Sequence, residues 1–206
     1  KPLVPIVVDL CNEALLDRHW ELIHNEVGFK IKGQDGMTLG KLTELHIQEH
    51  TDKISQVATT AAQEQVLCGM LAKVRGLWTD CDFVLNPYKE AKDMWILGET
   101  AEIVTNLDDS LVGVNTILGS RFVGAIRDEV ERLQKQLMLF QETLDEWQAV
   151  QKNWMYLETI FSAPDIQRQL PEASASFNHV DKSWRKIMSD TWDNPNALKA
   201  EDRKSV

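Results

Sequence analysis

The stretch FVGAIRDEVERLQKQLMLFQETLDEWQAVQKNWMYLETIF, Phe122–Phe161, decides the fold. Ile126, Val130, Leu133, Leu137, Phe140, Leu144, Trp147, Gln151, Trp154 and Phe161 recur in alternating steps of four and three, apart from a wider last step. Such steps keep side chains on one face of an α-helix. No Gly or Pro falls in the seam from Ile126 to Phe161, and the whole stretch from Phe122 predicts a single helix spanning about 60 Å at 1.5 Å per residue. A helix of that length with one apolar face is a strut that other elements must cover.

Working outward, Glu99–Leu118 reads as a helix joined to the strut through Gly119–Ser120. Before it, the apolar runs Cys81–Leu85, with Phe83 and Val84, and Met94–Leu97 flank a polar turn. They predict a β-hairpin pairing Phe83–Tyr88 with Met94–Leu97, with Lys89–Asp93 at an exposed tip. A lone hairpin is marginal, so it should lean on the helices. Further upstream, Ile54, Val57, Ala61, Glu64, Leu67, Leu71, Val74 and Trp78 form a second helical seam, on a long helix that Thr38 can cap. Val4–Asn25 reads as one more helix, stopped at Gly28 and followed by a loop over Lys30–Gly36.

After the strut, Ala163–Pro164 ends the pattern, and Pro171 suits the first turn of a last helix. That helix is expected to bury Phe177, Val180, Trp184, Ile187 and Met188. The fold class is therefore mostly α: an elongated helical bundle with long helices and one small β-hairpin near 83–97, over residues 1–195. Residues 196–206 read as a charged, flexible tail. Trp78, Trp147, Trp154, Phe161 and Trp184 are expected to form the structural seam.

Composition narrows the function. Lys and Arg number 22 against 32 Asp and Glu, a net charge of −10, so a nucleic acid backbone would be repelled. No basic cluster suggests an anionic membrane, and no apolar run approaches the roughly 20 residues of a membrane helix. Cys11, Cys68 and Cys81 have no CxxC spacing and read as reduced thiols, with Cys68 expected to be a small buried hydrophobe on its helix. The chain begins at Lys1, which suggests a piece of a longer protein.

Several motifs imitate catalytic ones. His46-Ile47-Gln48-Glu49-His50 has the HxxEH spacing of inverted zinc peptidases, but a zinc site needs a third ligand and supporting hydrogen bonds, and none is evident. Gly36-Met37-Thr38-Leu39-Gly40-Lys41 falls one residue short of a phosphate loop and lacks the following Ser or Thr. Asp108 and Asp109 are adjacent, and adjacent residues on a helix do not face each other. Ser110 and His179 have no triad context. No catalytic, cofactor-binding or metal site is therefore assigned.

The order of several stretches does carry a resemblance. Asp17-Arg18-His19-Trp20, Thr38-Leu39 and the Ile54–Trp78 seam are followed by Trp95-Ile96-Leu97-Gly98 and Leu107-Asp108-Asp109. Then come Glu146-Trp147, Val150-Gln151, Trp154, Tyr156-Leu157-Glu158, Ile160-Phe161, Asp165-Ile166 and Gln169-Leu170-Pro171, and finally Val180-Asp181-Lys182-Ser183-Trp184 and Ile187-Met188. Together they resemble the linker region of dynein heavy chains, and the residues around Tyr88–Gly98 and Ser162–Pro171 resemble axonemal inner-arm chains more than cytoplasmic ones. Two departures stand out. Leu133 occupies a position where many family members carry Trp, and the linker's second half, with its KR…FPRF-type stretch, does not follow.

The resemblance implies a lever lying across the AAA+ ring of the same heavy chain, which bends and straightens as the ring hydrolyses ATP. Microtubules are then met only through other regions, ATP and magnesium belong to the ring, and the location is the ciliary or flagellar axoneme, with the cytoplasm as the alternative. The hairpin tip, Lys89, Glu90, Lys92 and Asp93, is the candidate contact with the ring or a partner. A static helical adaptor is the competing reading; periodicity alone permits it, whereas the hairpin and the non-repeating Trp motifs disfavour it.

The incomplete phosphate loop and the two-histidine motif give the first prediction. The chain is expected to bind neither Mg-ATP nor zinc specifically, measured by calorimetry and by metal analysis after dialysis. A stoichiometric zinc that disappears in the His46→Ala, His50→Ala double variant would overturn this.

Overall fold

The computed structural model describes residues 3–33, 37–89 and 93–201, with the side chains of residues 200 and 201 excepted. It is mostly α-helical with a single two-stranded sheet among the described residues, as the apolar spacing predicts. The chain divides into two units, residues 1–71 with 117–127, and residues 72–116 with 128–206. No helix among the described residues is long and apolar enough to cross a membrane.

In the first unit, two helices replace the one expected over Val4–Asn25: α1 (Leu3–Leu10) and α2 (Asp17–Val27). The break has a local cause. The Asn12 carboxamide accepts the Ala14 N–H at 3.0 Å and donates to the Ala58 carbonyl at 3.4 Å. An Asn that closes a turn on its own backbone competes with helix. Leu16 is then extended, and its N–H donates to Nδ1 of His19 at 3.1 Å. Since Nδ1 accepts, Nε2 must be the donor to Glu64 Oε2, 3.0 Å away. Arg18 pairs with the same carboxylate, so α2 is tied to α4 (Thr51–Leu77) by a buried imidazole and a half-exposed guanidinium. Gly28 ends α2 with a left-handed φ of 79°, and its N–H donates to the His24 carbonyl at 2.9 Å. Burial is the main cause that lowers the His24 pKa, while the hydrogen bond from Lys32 lowers that of Asp17.

The helix capped by Thr38 is also shorter than expected. Thr38 Oγ1 accepts the Lys41 N–H at 3.3 Å, but α3 covers only Leu39–Glu44. His46 adopts a left-handed φ of 53°, and a 3-10 turn over Ile47–His50 leads into α4. A left-handed residue cannot continue a right-handed helix. Ile6, Leu15, Ile23, Leu42, Ile47 and Ile54 are central to the core of this unit. Cys68, expected to be buried, is exposed, because its neighbour Leu67 takes the seam position on α4.

The second unit holds the end of α4 and most of α5 (Ala101–Leu118) and α6 (Arg127–Phe161). It also contains α7 (Pro164–Gln169), α8 (Pro171–Asp193) and α9 (Ala197–Glu201). The strut α6 begins five residues later than its sequence suggests. Ser120 accepts the Phe122 N–H on its hydroxyl at 3.2 Å and the Val123 N–H on its carbonyl at 3.3 Å, and a 3-10 turn over Val123–Ile126 precedes the helix. Its 35 residues span about 52 Å. Val130, Leu133, Leu137, Phe140, Leu144, Trp147 and Trp154 are all buried along it.

Helix α8 runs antiparallel to α6. Phe161 stacks on Phe177 with centroids 5.2 Å apart, and Trp154 on Trp184 at 5.3 Å. Val180, expected in the core, is exposed, and Ile187 is only partly buried. The residue that turns toward α6 at that level is Asp181, which accepts from the Trp154 indole N–H at 3.1 Å. The packed part of the chain also reaches beyond residue 195. Asn196 and Ala197 are buried, and the Asn196 amide donates to the Trp78 carbonyl at 3.0 Å. Residues 202–206 lie outside the described residues.

Phe140 is buried against Trp78, edge to face at 5.4 Å, and against Phe83 at 6.2 Å. Phe140→Ala should destabilise the chain by about 3–5 kcal/mol in chemical denaturation. Glu142→Ala, on the exposed face of the same helix, should change stability by no more than about 0.5 kcal/mol. Equal losses in the two variants would contradict the seam.

Candidate functional site

Most of the sequence-predicted site residues lie on the hairpin and on α6, with Trp78 just after α4 and Trp184 on α8. Strands β1 (Leu85–Pro87) and β2 (Trp95–Leu97) are antiparallel, with Leu85 opposite Leu97, Asn86 opposite Ile96 and Pro87 opposite Trp95. The Tyr88 N–H donates to the Met94 carbonyl and the Gly98 N–H to the Val84 carbonyl, both at 2.7 Å, so pairing runs over 84–88 and 94–98. Glycine is required at position 98, since a Cβ there would lie 2.8 Å from Asn86 Nδ2 and 3.0 Å from the Val84 carbonyl.

Phe83, expected to pair with the second strand, pairs elsewhere. Its N–H donates to the Pro195 carbonyl and the Ala197 N–H to the Cys81 carbonyl, each at 2.8 Å. The approach to the hairpin is thereby stitched to the segment after α8. Trp95 and Trp192 add a face-to-face stack, centroids 3.8 Å apart and planes 10° from parallel.

The other edge of the sheet is closed by α6. In an antiparallel ladder every second residue turns its N–H and C=O away from its partner strand. Leu97 is such a residue. The Gln151 carboxamide accepts its N–H at 2.7 Å and donates to its C=O at 3.0 Å. The polar residue at an otherwise apolar seam position is thus a side chain that pairs with a strand edge.

Lys89–Asp93 form the hairpin tip in the sequence reading, with Lys89, Glu90, Lys92 and Asp93 as the candidate contacts. Lys89 has a left-handed φ of 55°, and its ammonium pairs with the Glu158 carboxylate on α6 and lies 5.1 Å from the Tyr88 ring. The hydrogen bond to Glu158 raises the Lys89 pKa above the usual lysine range. Tyr88 packs on Trp154 at 5.1 Å, and its hydroxyl reaches Glu158 at 3.4 Å. Asp93 is exposed, while Glu90 and Lys92 lie outside the described residues.

The five seam residues all belong to the second unit. Trp78 donates to Ser110 Oγ at 2.9 Å and meets Phe140; Phe83 bridges Phe140 and Trp147, at 5.1 Å from the latter. Trp154 lies against both Tyr88 and Trp184, and Phe161 lies against Phe177. Ser174 Oγ and the Trp184 indole N–H are buried without a hydrogen-bond partner among the described residues. Packing and the Trp154–Asp181 bond, not these atoms, hold α8 to α6.

The motifs that imitate catalytic sites are taken up by structure. His46 is itself left-handed and His50 closes the 3-10 turn that follows it, so the continuous helix that an HxxEH site needs is absent. His46 lies 3.9 Å from Glu49, and His50 lies 3.7 Å from Glu26. Among the described residues no group of three or more His, Cys, Asp or Glu is arranged to hold a metal ion. Ser110 is buried under Trp78, Asp108 and Asp109 are exposed, and burial raises the pKa of the Cys81 thiol. Gly36 lies outside the described residues, and Lys41 sits within α3.

A family model described as dynein heavy chain, N-terminal region 2, matches residues 1–206. Dynein axonemal heavy chain 6 of Homo sapiens is 42% identical over 201 residues, covering 97% of this chain and 5% of its own length. Dynein axonemal heavy chain 10 of Homo sapiens is 34% identical over 197 residues, 95% of this chain and 4% of its own. Dynein axonemal heavy chain 1 of Mus musculus is 34% identical over 194 residues, again 4% of its length. The chain therefore spans a small fraction of the curated relatives it matches.

Gln151→Leu keeps the volume and the helix but strips Leu97 of both partners. It should cost about 1–3 kcal/mol. Hydrogen exchange should show the Leu97 amide losing protection while the Gly98 amide, bonded to Val84, changes less. Unaltered protection at Leu97 would refute the edge closure.

Proposed function

We propose, from the premise that this chain belongs to the dynein heavy chain family and is of axonemal type, that it is a lever segment of a microtubule motor. In this reading the AAA+ ring of the same heavy chain binds and hydrolyses ATP with magnesium, and the segment carries the resulting change as the power stroke. The segment supplies no catalytic group. Microtubules are met through other regions of the heavy chain, and the work is done in the axonemal cytoskeleton.

The observation that supports this most is α6, a helix of 35 residues whose buried seam is braced by a hairpin and a second long helix. A lever amplifies a small displacement only if it resists bending. A lone helix bends as its exposed hydrogen bonds lengthen. Here the Gln151 pairing and the row of aromatic contacts oppose that on the buried face. The hairpin tip, Lys89–Asp93, is the proposed contact with the ring, with Lys89 also tethering it to Glu158.

Gln141 is exposed on α6, off the seam. Gln141→Pro removes a backbone hydrogen bond and clashes with the preceding turn, costing about 3 kcal/mol or more locally. In the parent motor it should leave most ATP turnover intact while slowing microtubule gliding, whereas Gln141→Ala should do little. A proline variant that folds, hydrolyses ATP and glides at normal speed would sink the lever reading.

A further inference from the structure

Beside the seam they bury, α6 and α8 carry a second apolar line. Thr143, Val150 and Leu157 repeat every seven residues on α6, and Val180 and Ile187 do so on α8. Seven-residue spacing keeps each set on one side of its helix. The helices run antiparallel, with Trp154 against Trp184 and Phe161 against Phe177, which brings Leu157 level with Val180 and Val150 level with Ile187. Between them lies an open groove of about 350 Å³, lined by Leu139, Thr143, Trp147, Val150, Trp184 and Ile187, with Glu142 and Glu146 also in its wall. Leu139 is 52% exposed, Val150 42%, Leu157 36% and Val180 46%.

A helix pair needs only its shared seam. A further apolar line on each helix is the pattern of elements that face another neighbour, and along this one Val150, Leu157 and Val180 stay well exposed while Thr143 and Ile187 are only partly buried. The charge selects the neighbour. Glu142 and Glu146 are exposed, and the chain carries a net charge of −10. A second copy would bring its own carboxylates to the same place, whereas a basic segment would complement them. Leu139 and Val150 are 11 residues apart, about 16 Å along the helix, or three turns.

We infer that this groove seats a basic amphipathic helix of about three turns from a partner. Its apolar residues, spaced three or four apart, would fill the space between Leu139, Val150 and Ile187. Its Lys or Arg residues would meet Glu142 and Glu146. The inference rests on the α6–α8 geometry and charge and holds whether or not the segment moves as a lever.

The test titrates the 206-residue chain with a synthetic helix of about four turns, Leu on one face and Lys on the other, followed by calorimetry. A second peptide carries Glu in place of every Lys. The Lys peptide should bind and the Glu peptide should not. Val150→Lys, and separately the Glu142→Lys, Glu146→Lys pair, should each weaken binding at least about tenfold, while circular dichroism confirms an unchanged fold. The Asp108→Lys, Asp109→Lys pair on α5 changes net charge by the same amount as the Glu pair and should leave affinity unchanged. The inference is overturned if the Lys peptide does not bind, if both peptides bind equally, or if the α5 pair weakens binding as much as the groove pair. It is equally overturned if sedimentation shows that the groove is closed by a second copy, with a dimer that Val150→Lys dissolves.

Discussion

The indole of Trp154 lies against both the Tyr88 and the Trp184 rings, and its N–H donates to Asp181. One side chain thereby ties the hairpin, α6 and α8 together. Its large apolar surface leaves water, and its single polar atom is satisfied at the same time. Asp181 in turn accepts from Arg185 at 2.8 Å, so the acceptor is itself held in place. The contacts of Trp147 with Phe83, and of Phe161 with Phe177, repeat the arrangement in either direction along α6.

A short hairpin has little stability of its own, and this one is held along both sides. Gln151 takes both backbone groups of Leu97, and residues 195–197 pair with 81–83 just before the first strand. These main-chain groups, which would otherwise compete for water or for another strand, are occupied. The consequence is mechanical. Hydrogen bonds to the hairpin fix positions along α6, where apolar contacts alone would allow sliding. In the lever reading this resists shear between α6 and what it braces.

Period and sequence identified the strut, the second seam on α4 and the approximate hairpin, because burial on one face leaves a repeat that can be counted. The breaks at Asn12–Leu16 and at His46 left no such mark. They depend on an Asn carboxamide shared with Ala58, a His shared with Glu64, and one left-handed residue. Val180 looked like core because it fits the helical count, but Asp181 occupies the facing position to bond an indole. Gln151 was visible as a polar residue on an apolar face, although its partner Leu97 lies 54 residues away. The burial of Ala197 and the pairing of Phe83 with Pro195 were beyond any local pattern. The hairpin tip was legible as a turn, but the return of Lys89 to Glu158 follows from a tertiary contact.

The central claim is that α6 moves as a rigid body. Bio-orthogonal probes at Asp128 and Tyr156, both exposed, should lie about 42 Å apart along an unbroken helix. The most direct measurement is the distribution of that distance in the parent motor, with and without ATP. The account predicts one narrow distribution, unchanged by nucleotide, while the motor is active. A second, shorter population appearing with ATP would mean that the helix bends during the cycle, which would contradict it.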